Sequence, residues 1–280
     1  KQIGKKEGQY ITLSVPSLTL EDQDGFTQLE QELLVNFKKL HESLSWQEDD
    51  KILIVGLGNR TITPDAIGPY LIDHLHSLDV IDEKFVMYAP GVTGQTGYET
   101  GEFVAAIAER LQPKLIIVVD ALATRASNRL CKTIQLTNTG IHPGSGVGNQ
   151  RQEISYEMLG IPVTAIGIPT VVDAPVLIAD AVETMLRSIA ARVAERSKPS
   201  SKLSLSSWQP DISKDLDMTL VQPIFGEWAT WTKEERQQLF EETFAGSHTQ
   251  LMVTPKEADY WIDRYARLVA SMLMNWASEL

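Results

Sequence analysis

Lys114-Leu115-Ile116-Ile117-Val118-Val119-Asp120 is the stretch that decides the fold. An apolar run this short, without polar alternation, reads as a central strand covered on both faces. Such a strand needs helices on both sides of its sheet, and the flanking sequence supplies them. Upstream, Glu99 to Leu111 has helical periodicity and is stopped by Pro113. Further upstream lie a strand at Lys84 to Tyr88, a helix at Asp65 to Leu78, and an apolar run at Lys51 to Val55. That last run ends in Gly56-Leu57-Gly58-Asn59, as a strand entering a tight turn does. Downstream, Thr133 to Leu136 and Pro162 to Ile168 read as strands and Ala174 to Arg196 as a long helix. Near the start, Tyr10 to Val15 alternates like a strand. A helix follows at about Gln28 to Leu44, with Leu29, Leu33, Leu34, Phe37 and Leu40 on one face. Strands alternating with helices predict an α/β fold: three layers, with a mostly parallel sheet and helices on both faces.

The composition changes at Ser197-Lys198-Pro199-Ser200-Ser201, where a Ser-rich linker begins. Residues 1–196 are therefore expected to form the α/β core, including the N-terminal strand and helix. Residues 197–280 are expected to form a linker and a C-terminal helical appendage packed on the core. In it, Thr232 to Phe244 and Pro255 to Trp276 read as helices, the second with Thr254 as N-cap in a capping-box pattern with Glu257.

Of the 280 residues, 43% are hydrophobic, enough for a sizeable core, and the formal net charge is -12. An acidic surface repels phosphate, which argues against non-specific nucleic-acid binding. The single cysteine, Cys131, cannot form an internal disulfide, which fits a reducing compartment, and it reads as a small buried hydrophobe rather than a nucleophile. No apolar run is long enough to span a bilayer, and no signal-peptide pattern follows Lys1.

Ligands of open parallel sheets bind beyond the carboxyl ends of the strands. Several apolar runs lead directly into residues capable of chemistry there. Lys51 to Val55 leads to Asp65, Lys114 to Val119 to Asp120, Pro162 to Ile168 to Asp173, and Thr133 to Leu136 towards the glycine-rich loop holding His142 and Ser145. Singly, Asp65 reads as a first-turn helix carboxylate, Asp120 as a helix N-cap and Asp173 as another N-cap. As a pair at adjacent strand ends, Asp65 and Asp120 become candidates for catalysis. Two close carboxylates share a proton, so one acts as acid and the other as base on a water. The same pair, with His142 as a third ligand, is also a candidate divalent-metal site. The turn Gly91 to Gly97, including Gly94, offers backbone amides to a substrate carbonyl. Glu99 either joins that site or is only a first-turn carboxylate. Gly56-Leu57-Gly58 lacks the third glycine of a dinucleotide fingerprint, since position 61 is Thr61. Ser145 lacks the glycine two places earlier that a nucleophile elbow needs, because Pro143 stands there. A non-catalytic peptide- or nucleotide-binding module, with the aspartates as caps, stays open on these residues.

Longer segments carry a resemblance. IVGLGNRTITPDAIGP (Ile54 to Pro69), PGVTGQTGYET (Pro90 to Thr100), IIVVDALATR (Ile116 to Arg125), TGIHPGSGVGNQRQEISYEMLGIPVTAIGIPTVVDAP (Thr139 to Pro175) and LMVTPKEAD (Leu251 to Asp259) together resemble the germination protease family of spore-forming bacteria. The resemblance implies an endopeptidase that cuts small acid-soluble spore proteins at germination. It implies an atypical aspartic peptidase made as a zymogen, a homotetramer, located in the cytoplasm of the developing spore and in the spore core. It places the catalytic pair on Asp65 and Asp120. Around that pair, Asn59, Gly94, Glu99, His142, Ser145 and Asp173 are the expected supporting or substrate-binding positions. No cofactor is implied. The implied fold is similar to that of hydrogenase maturation endopeptidases, whose nickel-contacting acidic pair keeps a divalent metal open as the alternative. No membrane or direct nucleic-acid partner is expected.

Overall fold

The computed structural model describes residues 6–78, 84–92, 99–144, 152–195, 212, 215–245 and 251–280. The Ser-rich linker expected from residue 197 lies outside the described residues. The chain divides into two compact units. The first comprises residues 1–124, 128–171 and 254–280, the second residues 125–127 and 172–253.

The sheet is built from β1 (Tyr10–Ser14), β2 (Ile52–Gly56), β3 (Phe85–Tyr88), β4 (Leu115–Thr124), β5 (Thr133–Thr137) and β6 (Val163–Asp173) in the order β1-β5-β6-β4-β2-β3, with the two-residue β7 (Met252–Val253) antiparallel to the end of β6. Strand β2 runs parallel to both β3 and β4. Every residue of β2 and the first six of β4 are buried, as uninterrupted apolar runs require. The two faces separate by alternation. Ile52, Ile54, Leu115, Ile117 and Val119 pack with α1 (Gln23–His41), α2 (Ile67–Ser77) and the C-terminal helix α6 (Ala258–Ala277). Leu53, Val55, Ile116 and Val118 pack with Val104 and Ala108 of α3 (Thr100–Leu111) on the other face. Each such aliphatic side chain contributes about 1.5–3 kcal/mol by leaving water. Three layers are the result, with helices on both faces. Helix α1 starts earlier than its apolar stripe suggests because the Asp22 side chain caps it, accepting from Gly25 N–H at 2.8 Å.

Strand directions depart from the sequence reading at one edge. Strand β5 is antiparallel to β6, and β1 is antiparallel to β5. Residues 125–132 alone join β4 to β5, too short a link to carry the chain back for a parallel crossover. Two strands also run on past their apolar cores: β4 to Thr124 and β6 to Asp173. Asp120 therefore sits inside a strand and caps no helix. Thr254 does not cap α6 either. The helix begins at Ala258 with Glu257 before it, and the Thr254 hydroxyl donates to the Thr170 carbonyl at 2.8 Å.

The second unit contains the helices α4 (Ala174–Glu195) and α5 (Lys233–Ala245). Its core joins Leu186 and Ala190 to Val221 and Ala229. Arg236, 2% exposed, pairs with Glu183 and donates to the Trp231 carbonyl at 2.6 Å, so its buried charge is compensated. The units do not follow a division at residue 196: α4 belongs to the second, and the C-terminal helix α6 belongs to the first. Cys131 is buried and its thiol is pushed up to about 12 by that burial, which suits a packing residue.

His41, at the end of α1, is buried among Phe37 and Trp276. Its Nδ1 lies 2.8 Å from the Phe37 carbonyl, so it carries the proton, and Nε2 accepts from the Thr164 hydroxyl at 2.8 Å. Burial lowers its pKa to about 4, against the partial opposition of the Phe37 carbonyl. The folded state thus prefers the neutral ring. Its contribution is complete above the ordinary histidine value near 6.5 and is lost as pH falls towards 4, a difference of about 3 kcal/mol. Urea unfolding between pH 7 and pH 4 should show this loss, and His41→Gln should flatten that part of the curve.

Candidate active site

The site is assembled where β2 ends. Leu57 N–H donates to the Val119 carbonyl at 2.8 Å, so the chain stays joined to β4 up to the residue before Asp120. It then turns sharply into α2 over two glycine contacts. A Cβ on Gly68 would lie 2.2 Å from the Leu57 carbonyl oxygen, so strand and helix touch backbone to backbone. Gly58 has φ +115°, and a Cβ there would lie 1.9 Å from the backbone oxygen of Asp65. Glycine is thus required for the chain to fold back on itself.

Asp65 closes the Thr63–Asp65 turn, just before α2. Asn59 N–H lies 3.0 Å from its carbonyl oxygen and 2.9 Å from its carboxylate Oδ2. The Asn59 side chain is itself 9% exposed and accepts from the Thr61 amide at 3.0 Å and hydroxyl at 2.8 Å, bracing the same loop. A further brace comes from β6. The Thr170 hydroxyl, on a residue 1% exposed, donates to the Pro64 carbonyl at 2.6 Å. Thr170→Val should shift the Asp65 turn and lower kcat/KM about tenfold, with Thr170→Ser close to the parent. Steady-state cleavage kinetics on the two variants decide this.

Asp120 is 6% exposed, and its Oδ1 accepts from the following amide of Ala121 at 2.9 Å. Asp65 and Asp120 line one cleft of about 80 Å³, room for a few water molecules, together with Gly58, Gly91, Val92, Thr100, Pro143 and Gly144. Strand β5 ends at the opposite end of the sheet from β4, because it is antiparallel to β6, which starts beside β4. The glycine-rich loop nevertheless reaches the cleft through Pro143 and Gly144, which lie between the bridged residues Ile141 and Ile154.

The other expected positions part company. Glu99 precedes α3, and its carboxylate accepts from the Gln152 amide; it braces a neighbouring segment and does not line the cleft. His142 is exposed, with Nε2 3.7 Å from Glu153, and does not join the cleft-lining residues. Among the described residues no three His, Cys, Asp or Glu side chains gather as a metal-binding group. The trio Asp65, Asp120 and His142 is thus not brought together. Asp173 belongs to the second unit, where it ends β6 with one carboxylate oxygen buried and without a hydrogen-bond partner among the described residues. Gly94 and Ser145 lie outside the described residues. Sequence reasoning missed Thr100 and Thr170. Thr100 directly follows the singled-out Glu99, while Thr170 looked like part of a loop because β6 was expected to end at Ile168.

A mostly parallel sheet with helices on both faces and a cleft lined by two carboxylates defines an α/β protein with a candidate ligand site near the carboxyl ends of its parallel strands. The germination protease family model matches residues 1–278. The germination protease of Halalkalibacterium halodurans is 39% identical over 98% of this chain and 78% of its own length. That of Priestia megaterium is 38% identical over 97% of this chain and 78% of its own. A solved hydrogenase maturation protease, HycI of Thermococcus kodakarensis, is a more distant likeness: 20% identity, TM-score 0.31, covering 43% of this chain and 74% of that one. The chain belongs to the germination protease family and is a peptidase of spore germination. Among the described residues, no helix is long and apolar enough to cross a membrane.

Proposed function

We propose that this peptidase starts the degradation of small acid-soluble spore proteins, using a water activated between Asp65 and Asp120. The observation that carries the reading is that two carboxylates from separate segments line one small cleft. One carboxylate takes a proton as the water oxygen bonds to the scissile carbonyl carbon. The other, protonated, polarises the carbonyl oxygen and then delivers a proton to the leaving nitrogen as the C–N bond breaks. The loops at 91–97 and 140–148 position the substrate. The chain works without a cofactor, as a homotetramer in the spore core.

The test is a cleavage time course on a small acid-soluble spore protein, with and without chelator. Cleavage that persists in chelator and is lost in Asp65→Asn and Asp120→Asn supports the carboxylate pair. Cleavage lost to chelator and restored by a divalent cation moves both residues into ligand roles. Sedimentation of the purified chain tests the tetramer.

A further inference from the structure

The loop that carries Asp65 is fastened along most of its length. The Arg60 guanidinium forms a two-pronged ion pair with Asp73 of α2, with Nη2 2.8 Å from Oδ1. The Thr61 hydroxyl turns back onto the Asn59 side chain at 2.8 Å, and the Pro64 carbonyl accepts from Thr170 at 2.6 Å. The backbone of Ile62 is held too: its amide donates to the Asn59 carbonyl at 3.1 Å, and its carbonyl accepts from the Asp65 amide at 2.8 Å. Yet Ile62 is 53% exposed. A lone exposed aliphatic residue is ordinary on a protein surface. This one shares a hydrogen-bonded turn with Asp65, which keeps their Cα atoms within about 7 Å. An extended chain advances about 3.3 Å per residue, so a substrate cut at the Asp65 carboxylate brings the side chain one or two residues away within reach of Ile62. The cleft wall at Leu57, Val92 and Pro143 is apolar as well, which favours an aliphatic neighbour over a charged one. A loop fixed before binding also loses little freedom when the contact forms.

We infer that Ile62 is a specificity-determining residue of the peptidase, packing against an aliphatic side chain of the substrate within two residues of the scissile bond. The inference rests on the Asp65–Asp120 cleft being the place of cleavage. Binding covers an apolar surface that the free enzyme leaves in water, and only a substrate with an aliphatic side chain at that position gains from it. Because the same turn holds Ile62 and Asp65, the contact also fixes where the scissile bond lies relative to the carboxylate.

The test begins by locating the cleaved bond in a small acid-soluble spore protein by mass spectrometry. A peptide spanning that bond is then made, with variants in which each aliphatic residue within two positions of the bond is replaced by Ala. Parent, Ile62→Val and Ile62→Ala enzymes are compared on all of them. On the unchanged peptide, Ile62→Ala should lower kcat/KM about tenfold and Ile62→Val should stay within about threefold of the parent. On one Ala-substituted peptide the parent should fall to the level of Ile62→Ala, so that the two losses do not add. Ile62→Ala should melt like the parent, because the residue is exposed. An Ile62→Ala enzyme within about threefold of the parent on the unchanged peptide overturns the inference. So does the same loss on every peptide, which would show a role in holding the loop, and so does a cleaved bond with no aliphatic residue within two positions. Asp65→Asn and Asp120→Asn run on the same peptides tell the two ideas apart. If both cleave normally while the Ile62→Ala loss depends on the peptide side chain, the carboxylate pair fails and the Ile62 contact stands.

Discussion

Asp120→Asn and Asp65→Asn should each lower cleavage by about 10³-fold or more while leaving the fold intact. The substitution is nearly isosteric. In Asp120→Asn the side-chain amide would still offer an oxygen to the Ala121 amide, from which Asp120 Oδ1 accepts at 2.9 Å. A side-chain oxygen at position 65 would likewise still meet the Asn59 amide, now 2.9 Å from Oδ2. What is lost is the capacity to accept and return a proton. Because shape and an acceptor oxygen are kept at both positions, both variants should melt close to the parent. The parent should show a bell-shaped pH–rate profile whose limbs belong to the pair rather than to either residue. Circular dichroism melting beside the cleavage assay checks both halves. A variant that melts like the parent and retains activity removes its residue from the mechanism.

Gly58→Ala should be the most damaging change outside the carboxylates. Its φ of +115° is outside the range that L side chains adopt readily, and the added Cβ would meet the Asp65 carbonyl oxygen at 1.9 Å. The backbone must move, and what it moves is the residue carrying the candidate carboxylate. A stability loss of at least about 2 kcal/mol is expected, with activity falling about 10²-fold as Asp65 leaves its position. Gly160 supplies the control. Its φ is +68°, but nothing lies within 4 Å of a Cβ there. Gly160→Ala should cost about 1 kcal/mol from backbone strain alone and leave cleavage unchanged. Equal activity in both variants would show that the contact between Gly58 and Asp65 does not hold the site.

The candidate carboxylates were legible in the sequence because the end of an apolar run is a local property. Asp65 follows a strand and turn, and Asp120 ends an apolar run. Other expected site members were not sorted by local rules. His142 and Glu99 sit in segments that look alike in sequence to those reaching the cleft, yet one lies beside Glu153 and the other holds the Gln152 amide. Which side chain of a glycine-rich segment points inward depends on contacts many residues away. Thr170 shows the same limit. Its bond to the Pro64 carbonyl spans 106 residues and has no sequence signature.

By itself the sequence determined the α/β class, the helical C-terminus, the candidacy of Asp65 and Asp120 and, through long shared segments, the family. These follow from periodicity, from unbroken apolar runs and from motif length, which are read along the chain. Only the tertiary structure decided that β1 and β5 run antiparallel, that β4 extends through Asp120 so the carboxylate is a strand residue, and that α6 shares a core with α1 and α2 while α4 does not. It also decided that Thr100, and not Glu99 or His142, lines the cleft with the aspartates. The reason is physical: strand direction, core partnership and side-chain convergence are set by burial and hydrogen bonding between residues distant in sequence, and a local pattern is compatible with several such arrangements.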